Sequence, residues 1–123
     1  MILADSSVWI AHLRSTDQTL VERLRGENIL CHPAIIGELA AVNLANRRAF
    51  LAQLSLLPTA VAASHQEVLT LIEKNRLFGI GVGYLDLHLL ASTRLTPGAR
   101  LWTRDRRLQD AARTLDLAAV LDH

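Results

Sequence analysis

The sequence predicts an α/β fold, a parallel five-stranded sheet flanked by helices in a single domain over residues 1–123. Three observations predict it. Short β-leaning runs alternate with longer runs of helical periodicity, and strands separated by helices pair in parallel, because a hairpin cannot join them. Leu and Ala supply 41 of the 123 residues while aromatics make up 4%, a balance that favours helix over an all-β sandwich. Half the chain is hydrophobic and a fifth charged, enough to bury a core and too apolar for a disordered tail.

The elements follow in order. Ile2–Asp5 reads as a strand, then Ser7–Arg14 and Asp17–Arg25 as helices, the second with Leu20, Val21 and Leu24 on one face. Asn28–Cys31 is a second strand. Pro33, at a first helical position where its missing N–H costs nothing, opens a helix to about Val42. Arg47–Leu57 is helical, with Phe50, Leu51, Leu54 and Leu57 at amphipathic spacing. That stripe is the candidate exposed apolar face for a partner. Pro58 ends the helix, and Thr59–Ala62 is a weak third strand. Ser64 followed by Glu67 matches a capping box for a helix to about Leu77. The Gly79-Ile80-Gly81-Val82-Gly83 run is a loop, Tyr84–Leu95 an apolar helix, and Thr96-Pro97-Gly98 a turn. Arg100–Thr103 is a fourth strand, Arg106–Leu115 a helix and Leu117–Leu121 a fifth strand.

Composition excludes several function classes. A formal net charge of +1 leaves no polybasic or polyacidic tail. Cys31 is the only cysteine, so there is no intramolecular disulfide and no multi-cysteine zinc or iron–sulfur site. Within Ile29-Leu30-Cys31 it reads as an inert core thiol. The apolar start is cut by Asp5 and lacks the basic region of a signal peptide. The longest uncharged stretch, Ala49 to Gln66, contains Gln53, Ser55, Pro58, Thr59 and Ser64 and so does not read as a membrane span. A soluble cytoplasmic protein is expected.

Four carboxylates stand in unusual company. Asp5 ends the first strand, and Asp105 follows the fourth. Glu38 is the only charge between Glu27 and Arg47, and Asp86 the only acid between Glu73 and Asp105. Acids on apolar helices are rare unless paired or metal-bound, and function in parallel sheets collects beyond the carboxyl ends of the strands. The competing structural reading makes each acid an N-cap or the partner of an arginine. No cation is at helical spacing from Glu38. Carboxylates brought within about 4 Å repel by roughly 4 kcal/mol at an effective dielectric near 20, so a convergent set needs protons or a divalent cation. All-oxygen donors suit Mg²⁺ or Mn²⁺ rather than zinc.

Asp5-Ser6-Ser7-Val8-Trp9-Ile10, the helix with Glu38, Gly81-Val82-Gly83-Tyr84-Leu85-Asp86-Leu87-His88-Leu89-Leu90-Ala91-Ser92, and Leu101-Trp102-Thr103-Arg104-Asp105-Arg106-Arg107-Leu108 together resemble a PIN domain. More narrowly they resemble the VapC-type ribonuclease toxins of bacterial toxin–antitoxin pairs. The resemblance runs the length of the chain, with the motifs in the family's order. It implies a Mg²⁺- or Mn²⁺-dependent endoribonuclease whose acidic site is Asp5, Glu38, Asp86 and Asp105. The metal would fall to Asp5, Asp86 and Asp105. Asp5 and Asp86 are the expected direct ligands, with Asp105 and Glu38 acting through water or as base. Thr103 matches the hydroxyl position beside the last acid, and Ser6 the polar residue after the first. Some members carry a further acid shortly after the last; Arg106 and Arg107 stand there instead. The resemblance also implies a homodimer, an RNA substrate and a small antitoxin covering the site.

Other residues carry two readings each. Arg104, Arg106, Arg107 and Arg113 are either a solvated helix face or phosphate contacts for RNA, the first three being nearest the site. The glycine run does not match a dinucleotide fingerprint and follows no strand. His88 lies two residues from Asp86, a spacing that does not share a helix face, and His12, His32, His65 and His123 show no ligand spacing. Trp9 reads as core. Among alternatives, a phosphoacceptor receiver domain needs a lysine after a late strand, and the only lysine, Lys74, lies in a helix. A haloacid-dehalogenase phosphatase needs Asp-x-Asp where this chain has Asp5-Ser6-Ser7. A non-catalytic PIN-like module would have no need of four intact acids.

Overall fold

The structure is a computed structural model that describes residues 1–121. Asp122, expected to be a solvated acid, and His123 lie outside the described residues. The elements run β1 (Ile2–Ala4), α1 (Ser6–Arg14), α2 (Gln18–Arg25), β2 (Ile29–Leu30), α3 (Pro33–Ala40), α4 (Arg47–Ser55), α5 (His65–Asn75), α6 (Tyr84–Leu95), β3 (Arg100–Trp102) and α7 (Arg106–Thr114).

The sheet is parallel, in the order β2-β1-β3. Ile2 and Leu3 pair with Ile29 and Leu30 on one side, and Ile2, Leu3 and Ala4 with Arg100, Leu101 and Trp102 on the other. The central strand is buried along its whole length, as a parallel strand covered on both faces requires. Leu20, Ile35, Leu39, Val68, Leu89, Leu90 and Leu108 close over it from the helices.

Five strands were expected, and the described sheet has three. The two outer segments each reach it through one parallel bridge, Thr59 to Cys31 and Ala118 to Leu101. Side chains of neighbouring elements hold the outer edges of these two segments. Beyond the Cys31 bridge, Val61 N donates to Thr96 Oγ1 at 2.9 Å and Ala63 N to Ser92 Oγ at 3.0 Å. Cys31 pairs with Pro58 O and Ala60 N, so the Val61 and Ala63 donors face away from β2 and are taken by hydroxyls of α6 and its end, while Pro58 has no donor to give. At the other edge, the Arg100 guanidinium donates to the carbonyls of Asp116 and Ala118, both at 3.2 Å.

The helices begin where their local chemistry directs. His32 caps α3, its Nδ1 accepting from Ala34 N at 3.0 Å, with Pro33 in the first turn. Ser64 and Glu67 form a reciprocal capping box on α5. The α4 stripe is largely consumed by the chain's own core: Leu54 is buried, Phe50, Leu51 and Leu57 pack against the core, and Phe50 meets Trp9 edge-on at 5.9 Å. That corrects the expectation of a bare apolar face. The exposed large apolar side chains lie elsewhere, among them Leu13, Phe78, Tyr84 and Leu85.

Gly37 sits inside α3 next to Glu38, and a Cβ there meets nothing within 4 Å. Gly37→Ala should therefore stabilise the protein by about 0.5–1 kcal/mol, the usual helix-interior difference. A urea titration reads it, and an unchanged or lower midpoint would show that the position needs glycine's freedom.

Candidate active site

Because β1, β2 and β3 run parallel, their carboxyl ends meet on one edge of the sheet, and each leads directly into the chain that carries an acid. Asp5 follows β1 and caps α1, Oδ1 accepting from Val8 N at 3.3 Å. Asp105 follows β3 by three residues and caps α7, Oδ1 accepting from Leu108 N at 3.0 Å. Glu38 lies on α3, which begins just after β2. Asp86 lies in the first turn of α6, which packs against β3. The capping reading thus holds for Asp5 and Asp105, but a cap engages one carboxylate oxygen and leaves a second.

Hydroxyls tie these elements together. Ser7 Oγ donates to Asp5 Oδ1, accepts from Arg104 N at 2.9 Å, and stands 3.4 Å from Thr103 Oγ1. Thr103 Oγ1 accepts from Asp105 N at 3.0 Å. Ser6 Oγ donates to Glu38 Oε1 at 3.3 Å, linking the start of α1 to α3. Ser6 and Thr103 are therefore placed beside the acids, as the sequence suggested. Ser7 is the more connected residue, and sequence reading named it only as part of the Asp5-Ser6-Ser7 motif.

Electrostatics link the four acids. Burial pushes the Asp5 carboxyl up, against hydrogen bonds from Ser7, Thr103 and the backbone that favour its ionised form. Asp86 is raised to about 6, first by burial and then by the charges of Asp5, Glu38 and Asp105. No cation offsets this: among the described residues the only ion pair is Arg100–Asp116, at 3.4 Å.

The donor chemistry fits a hard, hydrated cation. Every acid offers carboxylate oxygen, and the set carries uncompensated negative charge. Among the described residues, no group of three or more Asp, Glu, His or Cys side chains is arranged to hold a metal ion directly. That excludes a ready-made cage. It leaves the arrangement Mg²⁺ ordinarily takes, with one or two carboxylates and a retained water shell.

The arginines do not form one patch. Arg104 lines a cleft with Ser7, whereas Arg107 lines a different one with Leu77 and Ile80. The Arg107 side chain lies across Gly81, at φ +79°, where a Cβ would collide with its guanidinium. Gly81 thus allows α7 to approach the loop that leads into α6. Arg106 is exposed at the start of α7. His88 packs edge-on against His32 at 5.0 Å and against Tyr84 at 6.0 Å. Cys31 is buried, and burial pushes its thiol up, in keeping with an inert core cysteine.

The chain is a parallel α/β domain with acids beyond the carboxyl edge of its sheet. The PIN domain family model matches residues 2–114, and the chain belongs to the PIN-domain family. It is 48% identical over 111 residues to "Ribonuclease VapC32" of Mycobacterium tuberculosis, in both the CDC 1551 / Oshkosh and the ATCC 25618 / H37Rv strains. The matches cover 90% of this chain and 90% of each relative.

Proposed function

We propose that this chain is a VapC-type endoribonuclease, the toxin of a toxin–antitoxin pair, hydrolysing RNA phosphodiester bonds at Asp5, Glu38, Asp86 and Asp105. The observation that carries the reading is the PIN-family match over residues 2–114 together with an acid at the end of β1, on α3, in the first turn of α6 and after β3. The likeness to the mycobacterial ribonucleases supports it.

Asp5 and Asp86 would hold a Mg²⁺ or Mn²⁺ ion, with Asp105 reaching it through water. Bound there, such an ion supplies positive charge for a non-bridging phosphate oxygen and makes water more acidic. The chain's own residues do the rest. Ser7 and Thr103 fix the Asp5 carboxylate, so that its orientation is set before substrate arrives. Ser6 restrains Glu38, which faces the site from a separate helix and is the candidate to accept the proton of the attacking water. In-line attack by that water expels the ribose oxygen. Backbone phosphates give such a site affinity without sequence preference.

The expected partners are RNA and an antitoxin, with a homodimer as the assembly and the cytoplasm as the place of action. Among the described residues no helix is long and apolar enough to cross a membrane.

Incubating the purified chain with total cellular RNA in EDTA, Mg²⁺ or Mn²⁺ tests the reading. Endonucleolytic fragments should form only with metal. Phosphate release from a small monoester without RNA cleavage would point to a phosphatase-type acidic pocket. RNA binding without cleavage in any metal would point to a non-catalytic module.

A further inference from the structure

One face of α1 starts at the acidic site and leads away from it. Ser7, Ile10, Ala11 and Arg14 recur at helical spacing and form one wall of an open cleft of about 860 Å³. Arg104 and Thr19 contribute to its other walls. At 1.5 Å per residue, Ser7 to Arg14 spans roughly 10 Å of helix. That suits two or three nucleotides at about 3.4 Å each in a stacked strand.

The inner end of the cleft is joined to the site by covalent and hydrogen-bonded neighbours. Ser7 holds Asp5 with its hydroxyl and accepts from the backbone N–H of Arg104. Arg104 and Arg14 are both exposed and belong to no ion pair among the described residues. The one acid on the cleft wall, Asp17, caps α2, accepting from Leu20 N at 3.1 Å. His12 Nδ1 in turn accepts from Asp17 N at 3.0 Å.

We infer that this cleft is a subsite for the single RNA strand on one side of the scissile phosphate, with Arg104 holding the nearer backbone phosphate and Arg14 a farther one. The inference rests on the RNA-cleaving reading and adds a path and a residue, Arg14, to it. Charge complementarity favours RNA over a polypeptide. The cleft presents the Arg104 and Arg14 guanidiniums and several hydroxyls; Arg14 and Ile10 stand on a ridge shared with an apolar groove of Leu13, Val42 and Leu44, but Arg104 and Ser7 belong to the cleft alone. Arginine suits the task because its planar donors grip phosphate oxygens in pairs.

The test measures binding of 5′-labelled oligouridylates of two to eight nucleotides by fluorescence anisotropy at several salt concentrations. An Asp86→Asn background prevents cleavage, and a gel run in parallel checks that it does. Arg14→Gln should weaken binding of the longer oligomers about three- to tenfold, leave the dinucleotide unaffected, and reduce the salt slope by about 0.7, the value for one phosphate on a single strand. Arg14→Lys should restore the slope, and Arg94→Gln, in the groove between α5 and α6, should change nothing. Equal affinity and slope for Arg14→Gln and its parent at every length would overturn the inference. So would loss of a co-purifying protein partner with RNA binding intact, which would assign the cleft to a polypeptide. Cleavage by the Asp86→Asn protein would instead count against the active-site reading, while the binding comparison would still decide the cleft.

Discussion

Asp86→Asn should reduce RNA cleavage on the order of a thousandfold while leaving the metal-free protein at least as stable as its parent at pH 7.5. The two effects have one origin. Asp86 is partly withdrawn from water and faces the charges of Asp5, Glu38 and Asp105, so its ionised form is disfavoured in the fold. Asparagine keeps the shape and removes the repulsion, so folding gains where catalysis loses. A thousandfold loss corresponds to roughly 4 kcal/mol of transition-state stabilisation, within the range for removing a ligand from a metal-assisted hydrolase. Metal should stabilise the parent. At a free concentration about a hundredfold above its dissociation constant, linkage gives roughly 2.7 kcal/mol, a melting shift on the order of 5 °C for a domain of this size. Asp86→Asn should lose most of that shift. Melting curves in EDTA, Mg²⁺ and Mn²⁺ beside a cleavage assay read both quantities. A variant that unfolds without metal would make Asp86 a structural residue, and one that cleaves normally would move the site elsewhere.

Asp5→Asn separates capping from chemistry at the same site. Asparagine caps a helix about as well as aspartate, so α1 should persist while activity falls. This matters because the sequence left both readings open for Asp5 and Asp105, and in the structure these residues do cap helices. An N-cap and a metal ligand make the same demand on sequence, a short acid just before a helix. What separates them is company, and company was legible only for Glu38 and Asp86, each isolated on an apolar helix.

Local signals were the most legible part of the fold. Pro33, the Ser64–Glu67 capping box and the apolar Tyr84–Leu95 run act within one or two helical turns, and each gave an element the structure contains. The outer strands shrink to single bridges, and what holds their outer edges lies elsewhere in the sequence: Val61 and Ala63 donate to the hydroxyls of Thr96 and Ser92, about 30 residues away, and Arg100 grips the carbonyls of Asp116 and Ala118. No local pattern encodes those contacts. The same distance hid the parting of Arg104 from Arg107, since the close approach to Gly81 comes from another element. Ser7 was within reach, as a second hydroxyl two residues after an acid. So was His32: a side-chain acceptor directly before a proline in a first helical turn is a capping signature, here written with histidine instead of serine or aspartate.

His32 also sets the pH behaviour of the metal-free protein. It is buried, accepts from Ala34 N through Nδ1, and pairs through Nε2 with Ser92 Oγ at 2.9 Å. Ser92 Oγ in turn accepts from Ala63 N, so one imidazole joins the helix bearing Glu38 to the helix bearing Asp86. Burial first, and the charge of His88 second, lower its pKa to about 4. The folded value lies below the unfolded one, near 6.5. The stability His32 contributes is therefore complete above pH 6.5 and is lost as pH falls toward the folded value, on the order of 3 kcal/mol in all. Asp86 has the opposite sign. Its folded value, about 6, lies above the ordinary aspartate value of 3.8, so its contribution is complete below 3.8 and is lost as pH rises through 6. Asp5 is shifted in the same direction as Asp86. In EDTA the two slopes oppose each other between pH 4 and 6, and the parent should show a shallow profile there. Asp86→Asn removes one side of the balance and should lose stability more steeply than the parent as pH falls below 6.5. Adding His32→Asn, which keeps a capping oxygen but has no titrating ring, should flatten the profile again at a lower overall stability. Thermal melts of the three proteins from pH 4 to 7.5 make the comparison. Parallel profiles for the parent and Asp86→Asn would mean that Asp86 is not held up by its neighbours, and a steep acid slope surviving in the double variant would mean that His32 is not the group being protonated.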